Sequence, residues 1–155
     1  MKRYVFIGLC LLLFSGCSTS NFVSKPENAQ INIGKTNISG TAPLNGRIPR
    51  TTFGKYPVKV QKDGVAPLYG ILPLHVSPAA IGLDVLIFAP ATFWNVQRPF
   101  SFYEFDLEKR VIRYRDTEEE AWNEYLIREA EEARAKQFFW EELRNNPISP
   151  VSSQE

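Results

Sequence analysis

The chain has 155 residues and a formal net charge of +1, with 23% charged and 44% hydrophobic residues. This length suits one domain with accessory segments and is enough to bury a hydrophobic core. Both cysteines, Cys10 and Cys17, lie near the N-terminus, which excludes disulfides, Cys nucleophiles and Cys-based metal sites from the rest of the chain.

The N-terminus follows the three-part pattern of a secretory signal peptide. Lys2 and Arg3 form a basic start, residues 4–14 form an uncharged apolar run, and a Ser-Gly-Cys triplet ends at Cys17. The apolar run is shorter than the roughly 20 residues that a membrane-spanning helix needs. The pattern therefore predicts a signal peptide over residues 1–16.

The Ser-Gly-Cys ending resembles the lipobox of bacterial lipoproteins. The resemblance implies that the chain is cut before Cys17, that Cys17 carries lipid, including palmitate, and that the protein is anchored in the cell envelope. Ser18, being a residue other than Asp, implies the periplasmic face of an outer membrane, or the cell membrane where no outer membrane exists. An uncleaved anchor and a cleaved signal with an incidental cysteine are the alternatives.

The segment after the anchor is polar, and residues 17–28 are interpreted as a lipidated cysteine with a flexible tether. A β-rich globular domain is predicted over 29–115. Residues 30–33 and 56–62 alternate polar and apolar side chains, as half-buried strands do. An Asp63-Gly64 turn follows the second of these, and another strand is predicted within 67–76.

Two stretches of this region resemble the PEGA-type domain, a small β-sandwich-like module of bacterial envelope proteins. The first is Gly-Thr-Ala-Pro-Leu at 40–44, and the second is the Gly-Lys-Tyr-Pro-Val-Lys-Val-Gln-Lys-Asp-Gly run at 54–64 with its continuation to Pro67. The resemblance implies a β-rich fold that acts as a carrier or a binding surface, and it implies no catalytic residues.

Residues 65–96 carry one formal charge, at Asp84, and contain the longest apolar run of the body. One interpretation is a surface that faces the membrane or a partner. The other, which we favour, is a core segment containing a short helix from Ser77 or Pro78 to Phe88.

A β-hairpin is predicted over 101–115, because alternating residues flank a polar turn at 106–110. Aromatic residues and arginines are interleaved here, and Arg98, Tyr103 and Arg113 are the candidate contacts for an envelope glycan or lipid. A solvated strand face with arginines over aromatic rings is the alternative. The predicted envelope location excludes nucleic acid as a partner.

The remaining segment predicts one long acidic helix over 116–145, followed by a tail over 146–155. Thr117 and Glu120 have the spacing of a capping box. On such a helix one set of residues shares a side at 100° per residue. This stripe provides the candidate partner-binding residues Trp122, Leu126, Ala133 and Trp140.

Charge is divided between the predicted domain and the predicted helix. Residues 17–115 hold 12 basic and 6 acidic residues, a balance of +6, whereas 116–144 hold 4 basic and 10 acidic residues, a balance of −6. The helix is therefore expected either to pack on its own domain or to pair with another protein, and the charges favour the first arrangement.

The sequence contains no motif for catalysis, a phosphate loop or a Ca²⁺ loop. His75 is the only histidine, so a His-based metal site is not expected. The resulting expectation is an α+β fold with a β-rich domain, and a non-enzymatic, cofactor-free scaffold or accessory subunit that holds an envelope protein at the membrane. A ligand-binding module for glycan or lipid is the alternative function.

Overall fold

The computed structural model describes residues 18–49, 54–76 and 97–145, which form eleven strands and one helix. The predicted signal peptide, Cys17, the predicted apolar helix at 77–88 and the tail at 146–155 lie outside the described residues. The strands are β1 (Ser18–Lys25), β2 (Gln30–Ile33), β3 (Ile38–Thr41), β4 (Leu44–Ile48), β5 (Pro57–Lys62), β6 (Val65–Ile71), β7 (Leu74–Val76), β8 (Gln97–Pro99), β9 (Phe102–Asp106), β10 (Val111–Arg115) and β11 (Asn123–Leu126), and the helix is α1 (Glu129–Asn145).

These strands build two larger sheets and one short ribbon. The five-stranded sheet has the order β11-β10-β9-β1-β4, and the four-stranded sheet has the order β3-β2-β5-β6. All neighbours are antiparallel except β1 and β9, which run parallel. The ribbon pairs β7 with β8, so Val76 and Gln97 lie opposite each other.

One hydrophobic core lies between the two larger sheets. Because successive side chains of a strand point to opposite faces, every second residue of each central strand enters it. The fully buried members from the five-stranded sheet include Phe22, Ile48, Tyr103, Phe105 and Ile112, and those from the four-stranded sheet include Ile31, Ile33, Val58, Val60 and Leu68. The predicted β-rich α+β fold is confirmed.

The prediction of a flexible tether over 17–28 is wrong for the residues after Cys17. Residues 18–25 form β1, an inner strand of the five-stranded sheet, and Phe22 stacks on Tyr103 with ring centroids 5.5 Å apart. The inward-facing residues on either side of Phe22 are Ser20 and Ser24, and both hydroxyls form hydrogen bonds. Ser20 donates to the Phe100 carbonyl at 2.6 Å, and Ser24 donates to the Pro26 carbonyl while accepting from the Ala29 N–H. A polar composition therefore concealed a strand whose inward face carries one apolar side chain, Phe22, between two serines.

The strand predictions within 29–115 agree with the structure more closely. Residues 30–33 form β2, the 56–62 segment forms β5, and Gly64 takes a φ of 78° in the turn that leads to β6. The strand expected within 67–76 divides into β6 and β7 because the chain leaves the sheet at Leu72 and Pro73. The hairpin predicted at 101–115 forms β9 and β10.

The prediction of a helix starting at 116 is wrong by thirteen residues. The Glu120 carboxylate accepts from the N–H groups of Asp116 and Thr117, as half of a capping box does, but a loop and β11 follow instead of a helix. Arg115 fixes the loop, since its guanidinium donates to carbonyls at Glu118 and Glu120. Trp122 and Leu126 consequently precede the helix, and the stripe that joined them to Trp140 does not exist.

Helix α1 packs on its own domain, against β5 and β6 of the four-stranded sheet. Ala135 and Phe139 are its buried residues, and Phe139 lies 6.3 Å from the Tyr69 ring. Farther along the sheet, Phe138 packs so closely on Gly34 that a side chain at Gly34 would collide with its ring. Packing within the chain, which the charge balance favoured, is the arrangement observed.

Candidate interaction surface

The outward face of α1 carries two large apolar side chains that are exposed to solvent. Trp140 is 72% exposed and Leu143 is 51% exposed, and they line a shallow depression together with Gln137, Glu141 and Arg144. At 100° per residue, Ala133 and Trp140 are nearly aligned, and Gln137 lies 60° from Trp140. An indole beside an aliphatic side chain is suited to apolar contact with another molecule.

Polar contacts around Glu132 fix the first half of α1. The Glu132 carboxylate accepts from Arg110 at 2.8 Å and from Lys136 at 2.7 Å. The hydrogen bond from Lys136, helped by the one from Arg110, holds the pKa of Glu132 below its usual range.

A second polar contact joins β11 to the first turn of α1. The Tyr125 hydroxyl donates to the Glu131 carboxylate at 2.6 Å. Burial, followed by this hydrogen bond, raises the pKa of Tyr125 to about 12. The helix therefore presents Trp140 from a fixed position.

The four residues predicted to bind a partner do not form one surface. Ala133 and Trp140 share the exposed side of α1, whereas Leu126 lies on β11 and is 73% exposed. Trp122 is half-buried beneath Arg115, whose guanidinium carbon lies 4.3 Å from the indole centroid. Leu143, which is not among the predicted partner-binding residues, lies on the exposed side of α1 because the helix packs through Phe139.

Arg113, a predicted ligand contact, is the centre of a ladder of alternating charges on the outer face of the five-stranded sheet. It contacts Glu104 at 2.7 Å and Glu124 at 2.9 Å, and Lys25 lies 3.5 Å from the same Glu104 oxygen. The register places Glu104, Arg113 and Glu124 directly opposite one another on three strands. The hydrogen bond that Arg113 donates to the Glu104 carboxylate raises the pKa of Arg113, and its charge is paired within the sheet.

The other two predicted ligand contacts lie elsewhere. Tyr103 is fully buried, and its hydroxyl donates to the Pro73 carbonyl at 2.7 Å while accepting from the Phe100 N–H at 2.9 Å. Burial raises the pKa of this phenol well above its usual range. Arg98 pairs with Asp116 at 3.1 Å, and His75 lies 3.9 Å from the same carboxylate. The three predicted ligand contacts, Arg98, Tyr103 and Arg113, therefore make contacts within the fold and do not line one common site.

A groove that sequence reasoning missed runs between β3 and β4, the edge strands of the two sheets. Its volume is about 530 Å³, and its lining includes Lys35 and Arg47. These residues are twelve positions apart, Lys35 in the turn between β2 and β3 and Arg47 on β4, so no local spacing pattern marks them.

Comparison with protein-family models, curated proteins and solved structures finds no match for this chain. The likeness to lipoproteins and to the PEGA-type domain therefore remains a resemblance of short motifs. Within 18–49, 54–76 and 97–145, no helix is both long and apolar enough to cross a bilayer, and no His, Cys, Asp and Glu side chains cluster as metal ligands.

Proposed function

We propose that this protein is a lipid-anchored scaffold of the cell envelope that holds another protein at the membrane through the outward face of α1. The observation that carries the proposal is the exposure of Trp140 beside Leu143 on a helix already packed through Phe139. An indole that is 72% exposed keeps apolar surface in water, and burying that surface against a partner is favourable by roughly 25 cal/mol per Å².

The composition of the surrounding face defines the chemistry of the partner. Glu141 lies beside the apolar pair, and residues 116–144 carry a net charge of −6. A partner that offers an apolar pocket for the indole, bordered by basic side chains, matches this face in shape and charge. The protein acts in this proposal by position and contact, not by catalysis.

The anchor in this proposal is lipid on Cys17, as the lipobox resemblance implies. Because β1 begins at Ser18, an anchored Cys17 holds the sheet directly at the bilayer without an intervening linker. Metabolic labelling with palmitate tests this part. We expect label on the wild-type chain and none on Cys17→Ser, and an unlabelled wild-type chain would contradict the anchor.

Photocrosslinking in intact cells tests the partner surface. A photoreactive residue at Gln137, beside Trp140, should trap one specific envelope protein, and the same residue at Asp63 in the β5–β6 turn serves as the control. Adding Trp140→Asp should abolish the Gln137 adduct. An adduct that survives this change, or one that forms equally from Asp63, rules out the α1 face as the contact.

A further inference from the structure

The groove between β3 and β4 exists because consecutive strands enter different sheets. β3 pairs only with β2 and β4 only with β1, so each presents an open edge to the space between them. Ile38 of β3 lies where a side chain at Gly46 would be, which closes the bottom of the groove. The rest of the lining includes Lys35, Asn37, Ser39, Leu44, Asn45 and Arg47.

The lining has the chemistry of an anion site. Lys35 and Arg47 supply two positive charges, while Asn37, Ser39 and Asn45 add exposed hydrogen-bond donors, and the described lining residues include no carboxylate. Three arginines of this domain, Arg98, Arg110 and Arg113, are paired with acids. Among the described residues, Lys35 and Arg47 form no salt bridge.

The register places the groove next to the start of β1. Arg47 lies opposite Thr19, and Ile48 lies opposite Ser18. With about 3.3 Å per residue along a strand and about 4.8 Å between strands, the Arg47 backbone is roughly 6 Å from Ser18, the residue that follows Cys17 in the chain. Lipid on Cys17 would therefore bring this mouth of the groove to the level of the lipid headgroups.

We propose that the β3–β4 groove binds the phosphate of an anionic phospholipid headgroup, with Lys35 and Arg47 as its cationic contacts. The proposal rests on the anchoring at Cys17 that is part of the proposed function. A guanidinium donates two parallel hydrogen bonds to phosphate oxygens, and nearby amide and hydroxyl groups can donate to the rest of the headgroup. The volume of about 530 Å³ is within the range of small-molecule sites.

An extended acidic peptide fits the groove less well. Strand addition needs a long open edge, but β3 and β4 have four and five residues, and Pro43 and Pro49 flank β4. The apolar residues of the lining, Ile38 and Leu44, lie at the bottom, so they offer no alternating pockets for peptide side chains.

The test uses the full lipidated chain in neutral detergent micelles, titrated with a short-chain phosphatidylglycerol. Amide chemical shifts of Ser39 and Gly46 report occupancy of the groove. We expect saturable shifts, and an apparent affinity at least about tenfold weaker in the Lys35→Asn/Arg47→Gln double variant. Asn suits the replacement because it tolerates the φ of 63° that Lys35 adopts. Arg134→Gln, which removes an exposed cation of α1, is the matched control and should bind as the wild type does.

Parallel titrations with inorganic phosphate and with a hexaglutamate peptide identify the ligand. Weaker binding of both than of phosphatidylglycerol supports the phospholipid assignment. Equal binding of phosphate, tighter binding of the peptide, or unsaturable shifts with phosphatidylglycerol each overturn it. Palmitate labelling and the Gln137 crosslink are measured separately, so failure of the groove is distinguishable from failure of the anchor or of the partner surface.

Discussion

The Tyr103 hydroxyl lies in the core and satisfies two backbone groups from different parts of the chain. One is the Pro73 carbonyl before β7, and the other is the Phe100 N–H before β9. The same ring stacks on Phe22 of β1. A single side chain thus fastens the β7–β8 ribbon to the centre of the five-stranded sheet.

Replacing Tyr103 with Phe should lower the free energy of unfolding by about 1–3 kcal/mol, because both backbone partners lose their hydrogen bond in a buried place. Urea unfolding followed by fluorescence measures the change. Tyr69→Phe is the control, since the Tyr69 hydroxyl has no hydrogen bond among the described residues, and its effect should stay within about 0.5 kcal/mol. Equal losses in the two variants would show that the Tyr103 hydrogen bonds add nothing.

Two neighbouring aromatic residues of α1 have opposite environments. Phe139 is 4% exposed against the four-stranded sheet, and Trp140 is 72% exposed. Phe139 therefore attaches α1 to the sheet, whereas Trp140 is open to contact with another molecule.

Phe139→Ala should destabilise the protein by roughly 3–5 kcal/mol, because it leaves a cavity between α1 and the sheet. Trp140→Ala should change stability by no more than about 0.5 kcal/mol. Urea unfolding of both variants, with far-UV circular dichroism to follow the helix, makes the comparison. A large loss in Trp140→Ala would mean that the indole is structural and would remove the basis for a partner surface.

The attachment of α1 should weaken in acid through Glu132. Its pKa is lower in the folded chain than the reference value of 4.5, so its charged form stabilises the fold above that value and the contribution disappears as the pH falls through the folded pKa. Glu132→Gln should be less stable than the wild type by roughly 0.5–1 kcal/mol at about pH 6.

The difference between wild type and Glu132→Gln should shrink steadily below pH 4.5, as urea unfolding across this range can show. Glu108→Gln, at an exposed acid of the β9–β10 turn, should show no such pH-dependent difference. A Glu132→Gln deficit that is the same at every pH would mean that charge is not the cause.

Elements with regular alternation were predictable from the sequence, and elements fixed by distant contacts were not. β2, β5 and the β9–β10 hairpin carry their apolar residues at a period of two, so local pattern sufficed. β1 was missed because its inward serines are satisfied by groups such as the Phe100 carbonyl, eighty residues away. The helix start was misplaced because Arg115 holds the capping-box segment in a loop.

The candidate surfaces show the same division. Trp140 was selected from the sequence and is exposed, but its predicted companions Trp122 and Leu126 depended on a helix that starts at Glu129. Lys35 and Arg47 were not selected, because only the divergence of β3 and β4 brings them to one groove. Contacts between sheets are set by topology, which a local pattern does not contain.

On the scale of the whole molecule, the direction of β1 gives the domain two distinct ends. Ser18, Ile48 and Arg47 lie at the end nearest Cys17. The parallel strand β9 reaches Asp106 beside Lys25, so the β9–β10 turn lies at the other end, roughly 25 Å from Ser18 at 3.3 Å per residue. If Cys17 is lipidated, this geometry fixes which end faces the bilayer.

Single spin labels should detect that orientation in the lipidated chain reconstituted into vesicles. The body has no thiol of its own, so one cysteine at the exposed Thr19, near the Cys17 end, or at Glu108, in the far turn, takes one label. We expect a headgroup-attached nickel chelate to relax the label at Thr19 strongly and the label at Glu108 weakly, because the rigid strand starting at Ser18 keeps the two ends at different heights. A soluble nickel complex should relax both labels, which shows that both are accessible. Equal relaxation by the lipid-attached chelate would mean that the domain tumbles freely above the membrane, and β1 would not extend to Ser18 in the anchored protein.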